Sequence, residues 1–200
     1  MKKIDLAVMG AALTAASAGA MAYEAGDVLV RAGLANVNPS VKTDSGTDGL
    51  DVKGNTHLGL TAAYMVTPQV GVELLAATPF KHDLTADGSK IGSTKHLPPT
   101  VTVQWYPKVG GTVQPYLGAG LNYTTFWDAK LEDGTKLSLS HSTGLAVEAG
   151  VDVKLGDSLI LNAAVWKIDI DTDVSIVGVG EVGKLQIDPL AAMVGVAFKF

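Results

Sequence analysis

The chain has 200 residues with 23 glycines, no cysteine, 47% hydrophobic and 18% charged residues, and a formal net charge of −5. Lack of cysteine excludes a disulfide scaffold and any cysteine-ligated zinc or iron–sulfur site, and the acidic balance argues against a nucleic-acid partner, which needs a basic face. Mean hydropathy is high at +0.26, yet nothing after the N-terminus supplies the roughly 18 uninterrupted apolar residues of a membrane helix.

Lys2 and Lys3, the apolar and small run from Leu6 to Ala18, and Ala20-Met21-Ala22 have the layout of a secretory signal peptide with its cleavage site. Residues 1–22 are therefore expected to be removed, leaving 23–200 as one exported domain.

From there the sequence alternates with period two, segment after segment. Val28, Val30, Ala32 and Leu34 share one face with Arg31 and Gly33 on the other. Leu58-Leu60-Ala62-Tyr64-Val66 opposes His57, Gly59 and Thr61, and Val70-Val72-Leu74-Ala76 opposes Gly71 and Glu73. Val101-Val103-Trp105 and Leu117-Ala119-Leu121-Tyr123 follow. Leu145 to Val153 opposes Gly144, Glu148, Gly150 and Asp152, and Leu159 to Val165 alternates in turn. The last strand sets Leu190, Ala192, Val194, Val196, Phe198 and Phe200 on one face. Eight strands are predicted.

The two faces decide which side meets solvent. In a soluble sandwich the second face would carry frequent charges; here it is mostly Gly, Ala, Thr, Ser and Asn. An all-β, eight-stranded antiparallel transmembrane β-barrel explains both, with large apolar residues toward acyl chains and small or polar ones toward a narrow interior. Three short turns (66–69, 107–112, 154–157) alternate with four long polar loops (38–55, 80–95, 127–140, 172–186), the pattern of outer-membrane barrels with periplasmic turns and extracellular loops.

Asn55-Thr-His-Leu-Gly-Leu-Thr, Gly71 to Phe80, His96-Leu-Pro-Pro-Thr100, Gln114 to Phe126 and Trp166-Lys-Ile-Asp-Ile-Asp171 resemble the signature blocks of the OmpW/AlkL family, spread over the whole mature chain. The resemblance implies an eight-stranded outer-membrane barrel of a Gram-negative cell, with a hydrophobic narrow lumen, that passes small hydrophobic molecules passively. Its implied partners are those molecules, outer-membrane lipids and lipopolysaccharide, and the barrel-insertion machinery acting on C-terminal Phe200; it implies no cofactor.

Eight strands enclose a space that side chains normally fill. Inward glycines at 33, 59, 71, 118, 120, 144 and 150 are expected to leave room for a slender ligand. Arg31, Glu73, Glu148 and Asp152 fall on the inward face of the lower half, where charges must pair, and an ionic plug is expected there. Leu75 and Trp166 point inward just above it as a hydrophobic constriction, and the family resemblance suggests the same two positions as a gate. Proline breaks a ladder. Pro79 at the outer end of the third strand, with Pro98 and Pro99 at the start of the fourth, marks a seam for lateral release into the bilayer.

Other patterns lack their context. Gly178-Val-Gly-Glu-Val-Gly183 matches a dinucleotide fingerprint without a following helix and reads as an outer loop. Asp169, Asp171 and Asp173 start like a calcium loop, but Val174 replaces its glycine. His57, His82, His96 and His141 lie near the outer rim, as solvated side chains or as pH- or metal-sensitive groups. Ser140-His141-Ser142 with Asp128 or Asp133 could compose a hydrolase triad only if packing oriented it, and no enzymatic activity is expected. An adhesive or receptor role through the loops is the alternative to transport.

Overall fold

A computed structural model of the chain describes residues 23–43, 50–52, 54–77, 80–86 and 89–200. Residues 1–22, read above as a signal peptide, and Pro79 lie outside them.

The strands in chain order are β1 (Val28–Asn38), β2 (Lys42–Thr43), β3 (Leu50–Val52), β4 (Asn55–Thr67), β5 (Val70–Ala77), β6 (Phe80–Ala86), β7 (Ser89–Leu97), β8 (Thr100–Trp105), β9 (Val113–Leu131), β10 (Leu137–Leu139), β11 (Ser142–Lys154), β12 (Leu159–Ile168), β13 (Asp171–Ile176), β14 (Gly180–Gln186) and β15 (Leu190–Lys199). Eight of them, in the order β11-β12-β15-β1-β4-β5-β8-β9, form an antiparallel sheet that pairing of β9 with β11 closes into a barrel. Each of the eight strands thus has a neighbour on both sides, as lipid demands of backbone groups. The first and last barrel strands, β1 and β15, are neighbours within this sheet: the Val28 amide donates to the Phe200 carbonyl at 3.0 Å and the Phe200 amide to the Val28 carbonyl at 2.9 Å.

The period-two faces sort as their chemistry requires. Leu34, Leu58, Leu121, Leu145, Val194 and Phe198 face outward and are exposed, whereas Arg31, Thr61, Glu73, Thr102, Asn122, Glu148 and Asn162 are buried inside. An exposed apolar belt around a polar filling inverts a soluble protein and suits a lipid surround.

The long connections contain ordered strand structure. Hairpin β6–β7 continues the wall above β5 and β8, pairing with β9 on one side and β3 on the other. Hairpin β13–β14 joins β10 and β2 in a second, four-stranded sheet. Strand β9, at 19 residues, exceeds the roughly 9–11 that cross a bilayer and carries the barrel beyond it. The would-be dinucleotide fingerprint is the β13–β14 turn, with Gly178 and Gly180 at φ of 89° and 126°.

The inward glycines do not leave the open lumen expected of them. A Cβ at Gly118 would stand 2.6 Å from the Glu148 carboxyl, and one at Gly150 would enter the Tyr116 ring. At Gly33 and Gly120 it would meet backbone of the neighbouring strand, and at Gly144 the Asp169 backbone just past β12, so these glycines permit close backbone approach. Gly59 borders the apolar pocket described below, where a Cβ would meet Met193 Sδ at 2.7 Å.

Candidate functional site

The lower lumen, toward the short turns, is a packed polar network. Arg31 from β1 is 1% exposed. It donates through Nη1 to Glu73 Oε2 at 2.8 Å, through Nη2 to Asp152 Oδ2 at 2.9 Å and to the Tyr106 hydroxyl at 3.0 Å. Thr61 donates to the same Glu73 oxygen at 2.8 Å, and Asn162, facing Asp152 across the β11–β12 ladder, donates to Asp152 Oδ1 at 2.8 Å. Removing these three charges from water costs several kcal/mol each unless paired, and this geometry supplies a forked guanidinium between two carboxylates.

Glu148 joins by relay. Tyr106 donates to Gln104 Oε1 at 2.6 Å, and Gln104 Nε2 donates to Glu148 Oε1 at 2.5 Å. Glu148 Oε2 accepts the Trp166 indole at 2.6 Å and the Thr102 hydroxyl at 3.2 Å.

A tyrosine layer that the sequence reading missed closes the bottom. Tyr23, ahead of β1, lies 1% exposed and donates to Asp152 Oδ2 at 2.7 Å. Its ring meets Tyr106 edge-on at 5.2 Å, and Tyr106 packs on Tyr116 at 5.1 Å beneath the Arg31 guanidinium. Burial drives the Tyr23 and Tyr106 hydroxyls well above the usual phenol range, so both stay protonated donors. Tyr116 shares the inward parity of Asn122, and Tyr106 that of Thr102 and Gln104, so both were findable from it; Tyr23 lies ahead of the alternating runs and carried no signal.

Above this floor the chemistry reverses. A pocket is lined by Ala35, Val37, Gly59, Leu75, Pro98, Trp166, Ile168, Ile170, Pro189, Ala191 and Met193. Leu75 of β5 and Trp166 of β12 come from opposite walls, and Trp166 turns its ring to the pocket while its N–H is held by Glu148.

Pro98 lies where the wall is interrupted. The β5–β8 ladder ends at Leu75↔Thr100, and the β6–β7 ladder begins at Phe80↔His96. Between them the chain passes Ala76 and Ala77 on one side and Pro98 and Pro99 on the other. Pro99 offers its carbonyl to the Tyr123 amide at 3.0 Å, toward β9 rather than toward β5.

The remaining candidates disperse. The Ser140 hydroxyl accepts the Asp173 amide at 2.8 Å, His141 stacks on Tyr123, Asp128 pairs with Lys95 at 2.8 Å, and Asp133 accepts the Thr135 amide. No triad is assembled from them. Asp173 stands 3.7 Å from Lys184, and His57, His82 and His96 fall on three different strands.

Three comparisons bear on this geometry. Residues 24–200 match the model of the OmpW family. The chain is 40% identical to outer membrane protein W of Escherichia coli over 100% of both chains. The crystal structure of OprG from Pseudomonas aeruginosa is similar at 39% identity and a TM-score of 0.77, covering 89% of this chain and 97% of that one. Outer membrane protein AlkL, solved in lipid bilayers, shares the fold at 23% identity and a TM-score of 0.72 over 93% and 94% of the chains.

Proposed function

The chain belongs to the OmpW family of outer-membrane barrels, and from that premise we propose that it admits small hydrophobic molecules passively across the outer membrane of a Gram-negative cell. The observation that carries this reading is the wholly apolar pocket standing on a closed polar floor. An apolar solute gains about 25 cal/mol per Å² on leaving water for such a lining. A sugar or ion would lose its hydration and find no hydrogen-bonding group there, at a cost of several kcal/mol. Cargo enters from the loop end and passes between Leu75 and Trp166. It then leaves sideways through the wall between β5–β6 and β7–β8, because the ionic floor bars the axial route. Pro98 and Pro99 keep that stretch of wall from zipping shut, since neither has an N–H to give a ladder.

Entry into vesicles of a panel of alkanes, fatty acids, indole-like rings, sugars and salts tests the reading. Alkanes and aromatic rings are expected to enter at rates well above protein-free vesicles, with sugars and salts unchanged. Replacing Pro79 and Pro98 together by alanine should lower hydrophobe entry. Undiminished entry with a correctly folded barrel rules out lateral exit, and free passage of salts rules out the apolar route.

A further inference from the structure

The lower lumen holds more negative than positive charge. Glu73, Glu148 and Asp152 are buried there, and among the described residues Arg31 is the buried cation. It bridges Glu73 and Asp152. Glu148 receives its three hydrogen bonds from neutral donors, the Trp166 indole, the Gln104 amide and the Thr102 hydroxyl. A second observation falls on the same spot. Glu73 Oε2 accepts from Arg31 and Thr61, but Oε1 is buried with no partner. Glu73 stands opposite Thr102 in the β5–β8 ladder and Thr102 donates to Glu148, so the two carboxyls flank the same threonine on the inward face. Two bare carboxylates in that position would repel each other and leave an acceptor unsatisfied in a low-dielectric space.

Something positive must lie between them, and a proton fits the geometry. Both Glu148 oxygens are already engaged, so a metal ion would have to displace the indole or the amide, and the described residues contain no group of three or more metal-ligating side chains. A proton needs no added volume. It belongs on Glu148, because Glu73 is the one with the guanidinium. We propose that Glu148 is a proton-binding site of the folded barrel, its carboxyl taking a proton from water and donating it to Glu73 Oε1. The surrounding groups are consistent: Arg31 of β1, the buried cation among the described residues, is taken up by Glu73 and Asp152. The bound proton removes one charge from the lumen and satisfies the orphaned oxygen. It also fixes the carboxyl so that Oε2 faces the Trp166 indole, which ties the proton to the base of the apolar pocket. The site stands whether or not cargo enters that pocket.

Infrared difference spectra of the full barrel in lipid vesicles at neutral pH, in light and heavy water, test this. A protonated-carboxyl carbonyl band that shifts on deuteration is expected. It should move when glutamate is carbon-13 labelled, stay when aspartate is labelled, and vanish in Glu148→Gln. The labelling arm needs no variant, so misfolding of Glu148→Gln cannot obscure the answer. A spectrum with ionised carboxylates only, a band that moves with labelled aspartate, or a band that persists in folded Glu148→Gln overturns the proposal. The first of these outcomes would mean that a cation other than the proton balances the lumen.

Discussion

Arg31 is the residue on which most of the lumen depends. Its guanidinium pairs with two carboxylates and a tyrosine hydroxyl, so truncation leaves Glu73 and Asp152 buried together without a cation. Breaking a buried pair from one side costs about 3–5 kcal/mol, while replacing the whole set with neutral groups of like shape is nearly free. Arg31→Met is therefore expected to lower stability by about that amount, measured as the urea midpoint of reversible unfolding in vesicles. Adding Glu73→Gln and Asp152→Asn should restore most of the loss. Failure of the triple variant to recover would mean that Arg31 acts through packing against Tyr116 rather than through charge. The sequence placed Arg31, Glu73, Glu148 and Asp152 on inward faces in the lower half of the barrel, because parity and counting along a strand need no tertiary information. The neutral donors that join them, Gln104, Thr102 and Asn162, were invisible in role, since any polar residue at inward parity looks alike until its partner is known.

At the scale of elements, the barrel strands were legible and the loop strands were not, for one physical reason. A strand with lipid on one face must show large apolar residues there, whereas β6, β7, β13 and β14 rise beyond the apolar band and turn polar residues outward. Asp171-Thr-Asp-Val-Ser-Ile176 alternates with Thr172 and Val174 buried, and Ser89-Lys-Ile-Gly-Ser-Thr94 buries Thr94, but neither shows the run of large apolar residues that marks a lipid-facing strand. The β7–β9 ladder has an irregularity between Ser93 and Lys95, where Asp128 takes a φ of 52°, a left-handed conformation that aspartate tolerates better than most. There its carboxylate reaches Lys95. The hydrogen bond from Lys95, then the charge of that ammonium, holds the Asp128 carboxyl below its ordinary 3.8. A carboxylate with a depressed value in the folded state contributes stability above its unfolded value and loses it as pH falls through the folded one. The tie should thus hold through neutral and mildly acid pH and release below 3.8. Both partners are exposed, so the readout is local: the side-chain carboxyl resonance of Asp128 should titrate below the ordinary aspartate range, and Lys95→Met should return it there. An unmoved midpoint in Lys95→Met would assign the shift to another neighbour.

For the whole molecule the decisive question is where the apolar surface ends. Leu34, Leu145, Val147 and Val194 form part of a continuous exposed belt on the barrel wall, while Val177 and Val179, at 60% and 79% exposure, sit on the β13–β14 hairpin tip. Exposure alone treats these valines as equals; only a membrane separates them. In a bilayer, arginine on the lipid face near the midplane costs about 2–4 kcal/mol, falling to about 0–1 near the interface. Val147 lies midway along β11 and faces outward, so Val147→Arg is expected to destabilise the barrel by about 2–4 kcal/mol in vesicles. Val177→Arg should leave the unfolding midpoint essentially unchanged. In a soluble barrel both substitutions would be near neutral, because each replaces a water-exposed valine by a water-exposed arginine. Equal and small effects in vesicles would therefore overturn the assignment of the belt to lipid, and equal large effects would bring the hairpin down to the membrane surface.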